Sequence, residues 1–205
     1  NTSNMGGGAC WDIAEIAAIR EVCDEHDLRL HLDGARLFNA LVATGESPKP
    51  YGELFDTISI CLSKGLGAPV GSLLLGSKEN IGLAHRYRKS MGGAMRQAGY
   101  LAAAGLYALD NHVARLSDDH DKARMLGEEL AKQSYVQSVK PVETNILIFD
   151  LADGIESDDY LTHLEQQGVL GMSLSSRTIR LVFHLDIAES DFGAIVKAVR
   201  SFSAG

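Results

Sequence analysis

Lys64 and Asp33 are the residues whose type and position best suit covalent chemistry. Lys64 follows the apolar stretch 57–63 and opens a glycine-rich turn, and Asp33 ends the earlier apolar stretch 28–33. Strands that end in this way bring their last side chains to the sheet edge where α/β proteins bind ligands. An amine and a carboxylate there suit pyridoxal 5'-phosphate (PLP), because the amine can form a Schiff base and the carboxylate can keep the pyridine nitrogen protonated.

Both residues also have an ordinary structural role open to them. Most lysines are solvated, and Asp33 could equally cap a helix that opens at Gly34 and Ala35. A Schiff-base lysine must attack as a neutral amine, so burial or nearby cations would have to lower the pKa of Lys64. The Ser-Lys-Gly motif is weak alone. It gains meaning from the Asp-Gly-Ala-Arg segment upstream and from the apolar stretch before each.

Composition indicates an ordinary globular protein. The 205 residues are 45% hydrophobic and 22% charged, which is typical of globular domains. The net charge of -8 argues against nucleic acid as the main partner, and no apolar run reaches the length of a membrane span. Cys10, Cys23 and Cys61 are odd in number and lack metal-like spacing, so we expect a reducing, cytoplasmic environment. The first residues do not resemble a signal peptide.

Hydrophobic periodicity predicts alternating helices and strands. The predicted helices cover 12–27, 35–44, 78–89, 95–133, 157–167 and 189–203, and the predicted strands cover 28–33, 57–63, 72–76, 145–151 and 178–185. The span 95–133 is too long for one straight globular helix, so we expect a break at Asn111-His112 or at Ser117-Asp118. Residues 45–50 contain two prolines and are predicted to be a loop.

The order of these elements predicts an α/β fold with two domains. Strands and helices that alternate up to residue 111 are typical of a mostly parallel sheet with helices on its faces. After Pro141 a strand–helix–strand–helix pattern predicts a small α+β domain. We place the boundary near residue 112, so that 1–111 belongs to a larger domain and 112–205 forms the small one.

Five segments together resemble the threonine aldolase branch of the fold-type I PLP enzymes, within the β-eliminating lyase group. They are HLDGARLFNA at 31–40, SICLSKGLGAPVGS at 59–72, MGGAMRQAG at 91–99, ARLSDDH at 114–120 and RLVFHLD at 180–186. The resemblance covers nearly the whole chain in order. It implies a PLP-dependent transferase-like fold, here part of the large domain followed by the small C-terminal domain.

The resemblance implies a role for four residues. Lys64 would carry the cofactor as a Schiff base, and Asp33 would bind its pyridine nitrogen. Arg36 and Arg180 would grip the substrate carboxylate, a task that suits the bidentate guanidinium. Outside the family context, Arg36 would be interpreted as a helix-surface charge and Arg180 as a strand-edge charge.

Three further residues could contact the cofactor phosphate. Arg96, and with less support Lys89, could reach it across a subunit interface, although a solvated basic helix face is an equal alternative. Ser63 could donate to the phosphate, although a serine at a strand end usually satisfies local backbone. Two residues depart from the family pattern: Ser3 stands where histidine is more usual, and Phe183 where threonine is more usual.

The resemblance implies a PLP-dependent aldolase that cleaves L-threonine or L-allo-threonine to glycine and acetaldehyde. It also implies a homodimer or homotetramer with shared sites. The family's complete chain is longer, and its upstream half supplies a phosphate cup and a ring-stacking histidine, so we expect this sequence to be a C-terminal portion. Other PLP lyase reactions, such as β-elimination or phenylserine cleavage, remain alternatives, as does a non-catalytic fragment.

The remaining polar clusters favour structural roles. His31 lies two residues before Asp33, so strand alternation puts both on one face, where His31 could contact the cofactor region or fill the sheet. The run Asp118-Asp119-His120-Asp121 falls in a helical pattern where consecutive side chains diverge, so a solvated face is favoured and no metal is assigned.

Overall fold

A computed structural model describes residues 6–203 and divides the chain into two compact units. The N-terminal unit is Cys10–Ala114, and the C-terminal unit consists of residues 6–9 together with 115–203. The change of unit after Ala114 falls two residues beyond residue 112. The domain boundary placed there from the sequence stays a prediction.

The N-terminal unit contains five helices and three strands. The helices are α1 Ile13–Glu25, α2 Leu37–Thr44, α3 Lys49–Leu54, α4 Lys78–Ser90 and α5 Gly99–Asn111, and the strands are β1 His31–Gly34, β2 Thr57–Cys61 and β3 Ser72–Gly76. Strand β3 has the predicted bounds. Helix α3 was not predicted, because Pro48 and Pro50 suggested a loop. Proline is tolerated in a first helical turn, where its missing N–H would have no intrahelical partner.

The three strands form a mixed sheet in the order β1-β2-β3. Strands β1 and β2 are parallel, as the sequence predicts, and Asp33 lies opposite Ser59. Strand β3 runs antiparallel to β2, with Ser72 opposite Cys61, so the predicted mostly parallel pairing holds for the first pair alone. The reason is the connection 62–71, which contains no helix and is too short for the crossover that parallel neighbours need.

The two faces of this sheet differ in character. In β2 the buried side chains Ile58 and Ile60 alternate with half-buried ones. The buried face packs on a core that includes Ile16 from α1, Leu41 from α2 and Tyr51 from α3. The opposite face carries polar side chains, His31, Asp33, Ser59 and Cys61, which are exposed or half-buried. The polar face is therefore the one available to a ligand.

Asp56 anchors the start of both parallel strands. Its carboxylate accepts hydrogen bonds from the Leu30 backbone N–H at 2.8 Å, from Arg20 at 2.9 Å and from Arg29 at 3.0 Å. The Leu30 hydrogen bond, opposed by burial and helped by the two guanidinium groups, lowers the pKa of Asp56 to about 2. One carboxylate thus joins the middle of α1, the approach to β1 and the approach to β2.

The predicted helical span 95–133 is divided into two helices. Helix α5 ends at Asn111, and α6 Leu116–Leu130 begins after residues 112–115, which confirms the first of the two expected breaks. Residues 91–98 are not helical. The acidic run at the start of α6 is only partly solvated: Asp119 is completely buried and paired with Arg115 at 2.5 Å. The predicted solvated face is therefore wrong at Asp119, because the helix turns that residue inward.

The C-terminal unit is a four-stranded antiparallel sheet with helices. Its other elements are β4 Val136–Val139, β5 Ile146–Leu151, α7 Ser157–Gln166, β6 Met172–Ser173, β7 Thr178–Val182 and α8 Glu189–Arg200, and the strand order is β4-β5-β7-β6. Strands β4 and β6 are short and were not predicted. The predicted small α+β pattern is otherwise present in this unit, and α6, α7 and α8 contribute Leu126, Leu164 and Val199 to its core.

Residues 6–9 belong to the C-terminal unit and pack on residues 144–148. Thr144 donates a hydrogen bond from its hydroxyl to the Gly8 carbonyl at 2.8 Å. A Cβ on Gly8 would come within 2.3 Å of the Thr144 hydroxyl, and Gly8 also has a φ of +77°. Glycine is therefore required there, both for the backbone conformation and for the close approach.

Candidate active site

The carboxyl ends of β1 and β2 bring Asp33 and Lys64 to one edge of the sheet. Asp33 is the third residue of β1, and Lys64 follows the end of β2 by three residues. Parallel pairing makes both strands end at the same edge. The structure therefore places the predicted carboxylate and the predicted amine on neighbouring strand ends.

Gly34 allows β1 to approach β2 closely beside Asp33. A Cβ at Gly34 would lie 2.7 Å from the Ser59 carbonyl oxygen, a distance that backbone atoms cannot relieve without moving a strand. Glycine is thus needed next to the candidate carboxylate for a packing reason.

Asp33 is exposed, and one of its carboxylate oxygens accepts a hydrogen bond from the Ala35 backbone N–H at 3.2 Å. Asp33 is not the cap of α2, because the N-cap position of that helix is Arg36. The capping alternative is therefore wrong for this helix, although the local turn does use Asp33. On the same face, His31 Nδ1 lies 2.8 Å from the Thr57 hydroxyl, so His31 packs across the sheet.

A hydrogen-bonded turn presents Lys64. The Gly67 N–H donates to the Lys64 carbonyl at 2.8 Å, and the Leu62 N–H donates to the Gly71 carbonyl at 2.9 Å. The Lys64 side chain is exposed, so the described residues do not supply the burial that a neutral amine was predicted to need. The Lys64 ammonium instead donates to Cys61 Sγ at 3.1 Å.

Sequence reasoning missed Cys61 as part of this site. Burial tends to raise the pKa of the Cys61 thiol, but the Lys64 hydrogen bond, a contact with Ser72, the Lys64 charge and a contact with Ser63 lower it below its ordinary value. Cys61 was interpreted only as an unpaired thiol in an apolar strand. The available signal was its position, three residues before Lys64 and at the last position of the strand.

The other candidate residues of the N-terminal unit lie on different elements. Arg36 is half-buried at the start of α2, and Ser63 is exposed beside the Cys61 sulfur, at 3.9 Å. Arg96 is exposed in the segment between α4 and α5, so the alternative of a basic helix face is wrong for it, while Lys89 does lie in the last turn of α4.

Arg180 lies on β7 in the C-terminal unit and is a cation without a carboxylate partner among residues 6–203. Its Nε is buried and has no hydrogen-bond partner in the described structure. Nη1 approaches the Met172 sulfur at 3.5 Å, and burial lowers the pKa of the guanidinium. Since β7 is paired on both sides, the strand-edge alternative is wrong. An unpartnered buried donor of this kind suits an anionic ligand.

The side chains of the N-terminal unit fit part of a PLP site: Lys64 would carry the aldehyde carbon of the cofactor, and Asp33 would face the pyridine nitrogen. In the C-terminal unit, the orphaned donor of Arg180 suits a carboxylate. Ser3 and the start of its segment lie outside the described residues. Phe183 is buried and packs on Phe192, so it fills the core of the C-terminal unit.

Two negative observations hold for residues 6–203. No group of three or more His, Cys, Asp or Glu side chains there is placed to hold a metal ion. None of the helices in that range combines the length and apolar character needed to cross a bilayer.

Comparison with solved structures identifies the fold of this chain. The solved structure of Leishmania major threonine aldolase superimposes with a TM-score of 0.76 over 98% of this chain and 58% of that chain, at 20% identity. The fold is that of the fold-type I PLP enzymes, as predicted. The sequence profile described as beta-eliminating lyase matches residues 1–154. The chain belongs to the beta-eliminating lyase family.

Curated relatives specify the branch that the chain resembles. The low-specificity L-threonine aldolase 1 of Arabidopsis thaliana is 40% identical over 194 residues, which are 93% of this chain and 54% of the plant protein. The low-specificity L-threonine aldolase of Escherichia coli K12 is 41% identical over 192 residues, covering 90% of this chain and 54% of the bacterial protein. The chain spans about half the length of the curated relatives it matches.

Proposed function

We propose that this chain is part of a PLP-dependent aldolase that cleaves β-hydroxy-α-amino acids, with L-threonine or L-allo-threonine giving glycine and acetaldehyde. The observation that carries the proposal is the meeting of Asp33 and Lys64 at one edge of a parallel strand pair, in a chain of this family. The names of the Arabidopsis and Escherichia coli relatives support the substrate class.

Each residue then has a chemical task. PLP, when bound, supplies a sink for the electron pair released as the Cα–Cβ bond breaks. The Lys64 amine would hold the cofactor, and the Asp33 carboxylate would stabilise a proton on the pyridine nitrogen. Arg180, with Arg36, would hold and orient the substrate carboxylate. Arg96 and Ser63 are the proposed phosphate contacts from this chain.

We further propose a homodimer or homotetramer with shared sites. The part of the N-terminal unit from α4 to α5 exposes seven large apolar side chains: Leu83, Tyr87, Met91, Met95, Tyr100, Leu106 and Tyr107. No residue of α4 is buried. Exposed apolar side chains in this number are typical of a surface that another chain covers. A cytoplasmic location remains a proposal based on the three cysteines.

The competing activity is another PLP lyase reaction on the same scaffold. The description of the matched family, beta-eliminating lyase, favours it over unrelated alternatives. Since Lys64, Asp33 and Arg180 would serve both reactions, a substrate panel decides: release of acetaldehyde from threonine supports the aldolase, and release of ammonia and a keto acid supports elimination.

The decisive experiment is trapping of the cofactor on Lys64. The protein is incubated with PLP, its visible absorption is recorded, and it is reduced with borohydride before peptide mapping by mass spectrometry. We expect a phosphopyridoxyl group on Lys64 and none there in Lys64→Ala. A stable protein with no visible band and no adduct on Lys64 would contradict the proposal and favour a non-catalytic fragment.

A further inference from the structure

Cys61 lies in direct contact with the candidate Schiff-base lysine. Its sulfur is 3.1 Å from Lys64 Nζ, 3.8 Å from the Ser72 hydroxyl and 3.9 Å from the Ser63 hydroxyl. Cys61 is the last residue of β2 and pairs with Ser72 of β3. It lies two residues after Ser59, the partner of Asp33, so it belongs to the polar face of the sheet.

We propose that Cys61 is a positioning residue for Lys64: its sulfur holds the lysine amine at the end of β2 whenever that amine is not bonded to the cofactor. This includes the stage after substrate has replaced the lysine. The inference rests on the proposed function, because it concerns the lysine that would bind PLP.

The physical need for such a partner follows from the exposure of Lys64. A free lysine side chain samples many rotamers, so an exposed amine would leave the site unless a contact restrained it. The Cys61 sulfur is held by the strand and lies within hydrogen-bond distance.

A packing role alone explains Cys61 less well. Cys23 shows what a packing thiol looks like in this chain, since it is buried on one face of α1. Cys61 is half-buried, on the open face of the sheet, and its neighbours are an ammonium and two hydroxyls. Lys64 is the charged group that acts on the sulfur; Ser63 and Ser72 contribute uncharged hydrogen-bonding groups.

The first test measures the thiol without the cofactor. The rate at which iodoacetamide alkylates Cys61 is measured by mass spectrometry at a series of pH values in wild type and in Lys64→Met. Methionine has a side chain of similar length to lysine but no charge. We expect the midpoint of the Cys61 profile to move to higher pH in Lys64→Met, because the ammonium that favours the thiolate is gone. The rates at Cys10 and Cys23, read from the same digests, serve as internal references. An unchanged Cys61 midpoint would overturn the contact.

The second test measures positioning. The rate at which Lys64 combines with added PLP is read from visible absorption in wild type, Cys61→Ala and Cys61→Ser. We expect Cys61→Ala to be slower by roughly threefold to tenfold, the effect of one hydrogen bond, while Cys61→Ser keeps an acceptor and stays close to wild type. Thermal unfolding confirms that both variants fold.

The two proposals fail in different ways. If borohydride labels Lys64 while Cys61→Ala combines with PLP at the wild-type rate, the positioning role is wrong and the proposed function stands. If Lys64 is never labelled, the proposed function fails and the positioning role fails with it, even where the thiol profile shows that Cys61 and Lys64 touch.

Discussion

Arg180 shows how a single side chain can indicate its ligand. A guanidinium with a buried Nε that has no hydrogen-bond partner is costly in a protein unless a ligand or partner completes it. The family resemblance independently implies that this residue binds the substrate carboxylate. Burial and chemistry therefore point to the same role, whereas a strand-edge charge would have found water or a local carboxylate.

We expect Arg180→Lys to weaken substrate binding more than it slows turnover. Lysine keeps the charge but loses the bidentate geometry, and a charge-assisted hydrogen bond contributes about 1.5–3 kcal/mol, which corresponds to a KM higher by roughly 10- to 150-fold. Steady-state kinetics of threonine cleavage in the full-length protein measure this.

The matched control for Arg180 is Arg177→Lys. Arg177 is partly exposed near the start of the same strand and pairs with Asp153, away from any predicted role. Its KM should stay at the wild-type value. An equal rise of KM in the two variants would show that the effect comes from a disturbed strand β7 and not from a lost contact with the substrate carboxylate.

At the scale of elements, the parallel pair β1–β2 is what brings the candidate groups together. Its geometry depends on two residues with no chemical role: Gly34, which permits the close approach to Ser59, and Asp56, which ties the strand beginnings to α1. Changes at either residue should therefore affect stability.

We expect Gly34→Ala to destabilise the fold by about 1–3 kcal/mol, because the new methyl group would overlap the Ser59 carbonyl. The control is Gly52→Ala in α3, where a Cβ meets no atom within 4 Å. That change should be neutral or stabilise the helix by about 0.5–1 kcal/mol. Urea unfolding of both variants measures the difference, and equal free energies of unfolding would contradict the close approach.

We expect Asp56→Asn to lower the free energy of unfolding by about 1–3 kcal/mol near neutral pH, since it removes the charge that receives three donors. The folded pKa of about 2 lies below the ordinary value of 3.8. This contribution is therefore present above about pH 4 and is lost as the pH falls toward 2. The stability difference from wild type should shrink over that range.

Urea unfolding at a series of pH values tests the role of Asp56. Asp24→Asn is the control. The exposed Asp24 also pairs with Arg20, but unlike Asp56 it accepts no hydrogen bond from the backbone before β1. It should cost less than Asp56→Asn at neutral pH. A stability difference for Asp56→Asn that stayed constant down to pH 3 would show that its pKa is not depressed in the folded state.

At the scale of the whole molecule, the notable feature is the apolar surface from α4 to α5. The C-terminal unit buries a continuous core around β5, whereas α4 contributes no buried residue. A chain that spans about half the length of its curated relatives can leave such a surface for another part of the protein or for a second subunit. The proposed oligomer assigns it to a second subunit.

We expect Tyr100→Glu to weaken self-association of the full-length protein. Tyr100 is 89% exposed on α5, and a charge inside an apolar interface should raise the dissociation constant by roughly tenfold or more. Leu170→Glu in the C-terminal unit, also an exposed apolar residue, is the control and should leave association unchanged. Sedimentation velocity over a concentration series distinguishes them, and identical profiles would place the interface elsewhere.

The local pattern of the chain already determined most elements and the two principal candidates. Strand β3 and helices such as α4 and α7 follow from hydrophobic periodicity, and Lys64 and Asp33 stand out because each lies at the end of an apolar strand. Family resemblance added Arg36, Arg96 and Arg180. These inferences succeed because they depend on neighbours in the sequence, or on motifs whose order is kept along the chain.

The tertiary structure alone decided which distant groups meet. The antiparallel direction of β3, the burial of Asp119, the donors around Asp56 and the orphaned Nε of Arg180 depend on packing between segments that the sequence does not order in space. The Cys61–Lys64 contact forms because the turn after β2 folds back over the strand end. A spacing of three residues allows this contact but does not require it. Sequence thus determined the reactive groups, and packing determined their partners.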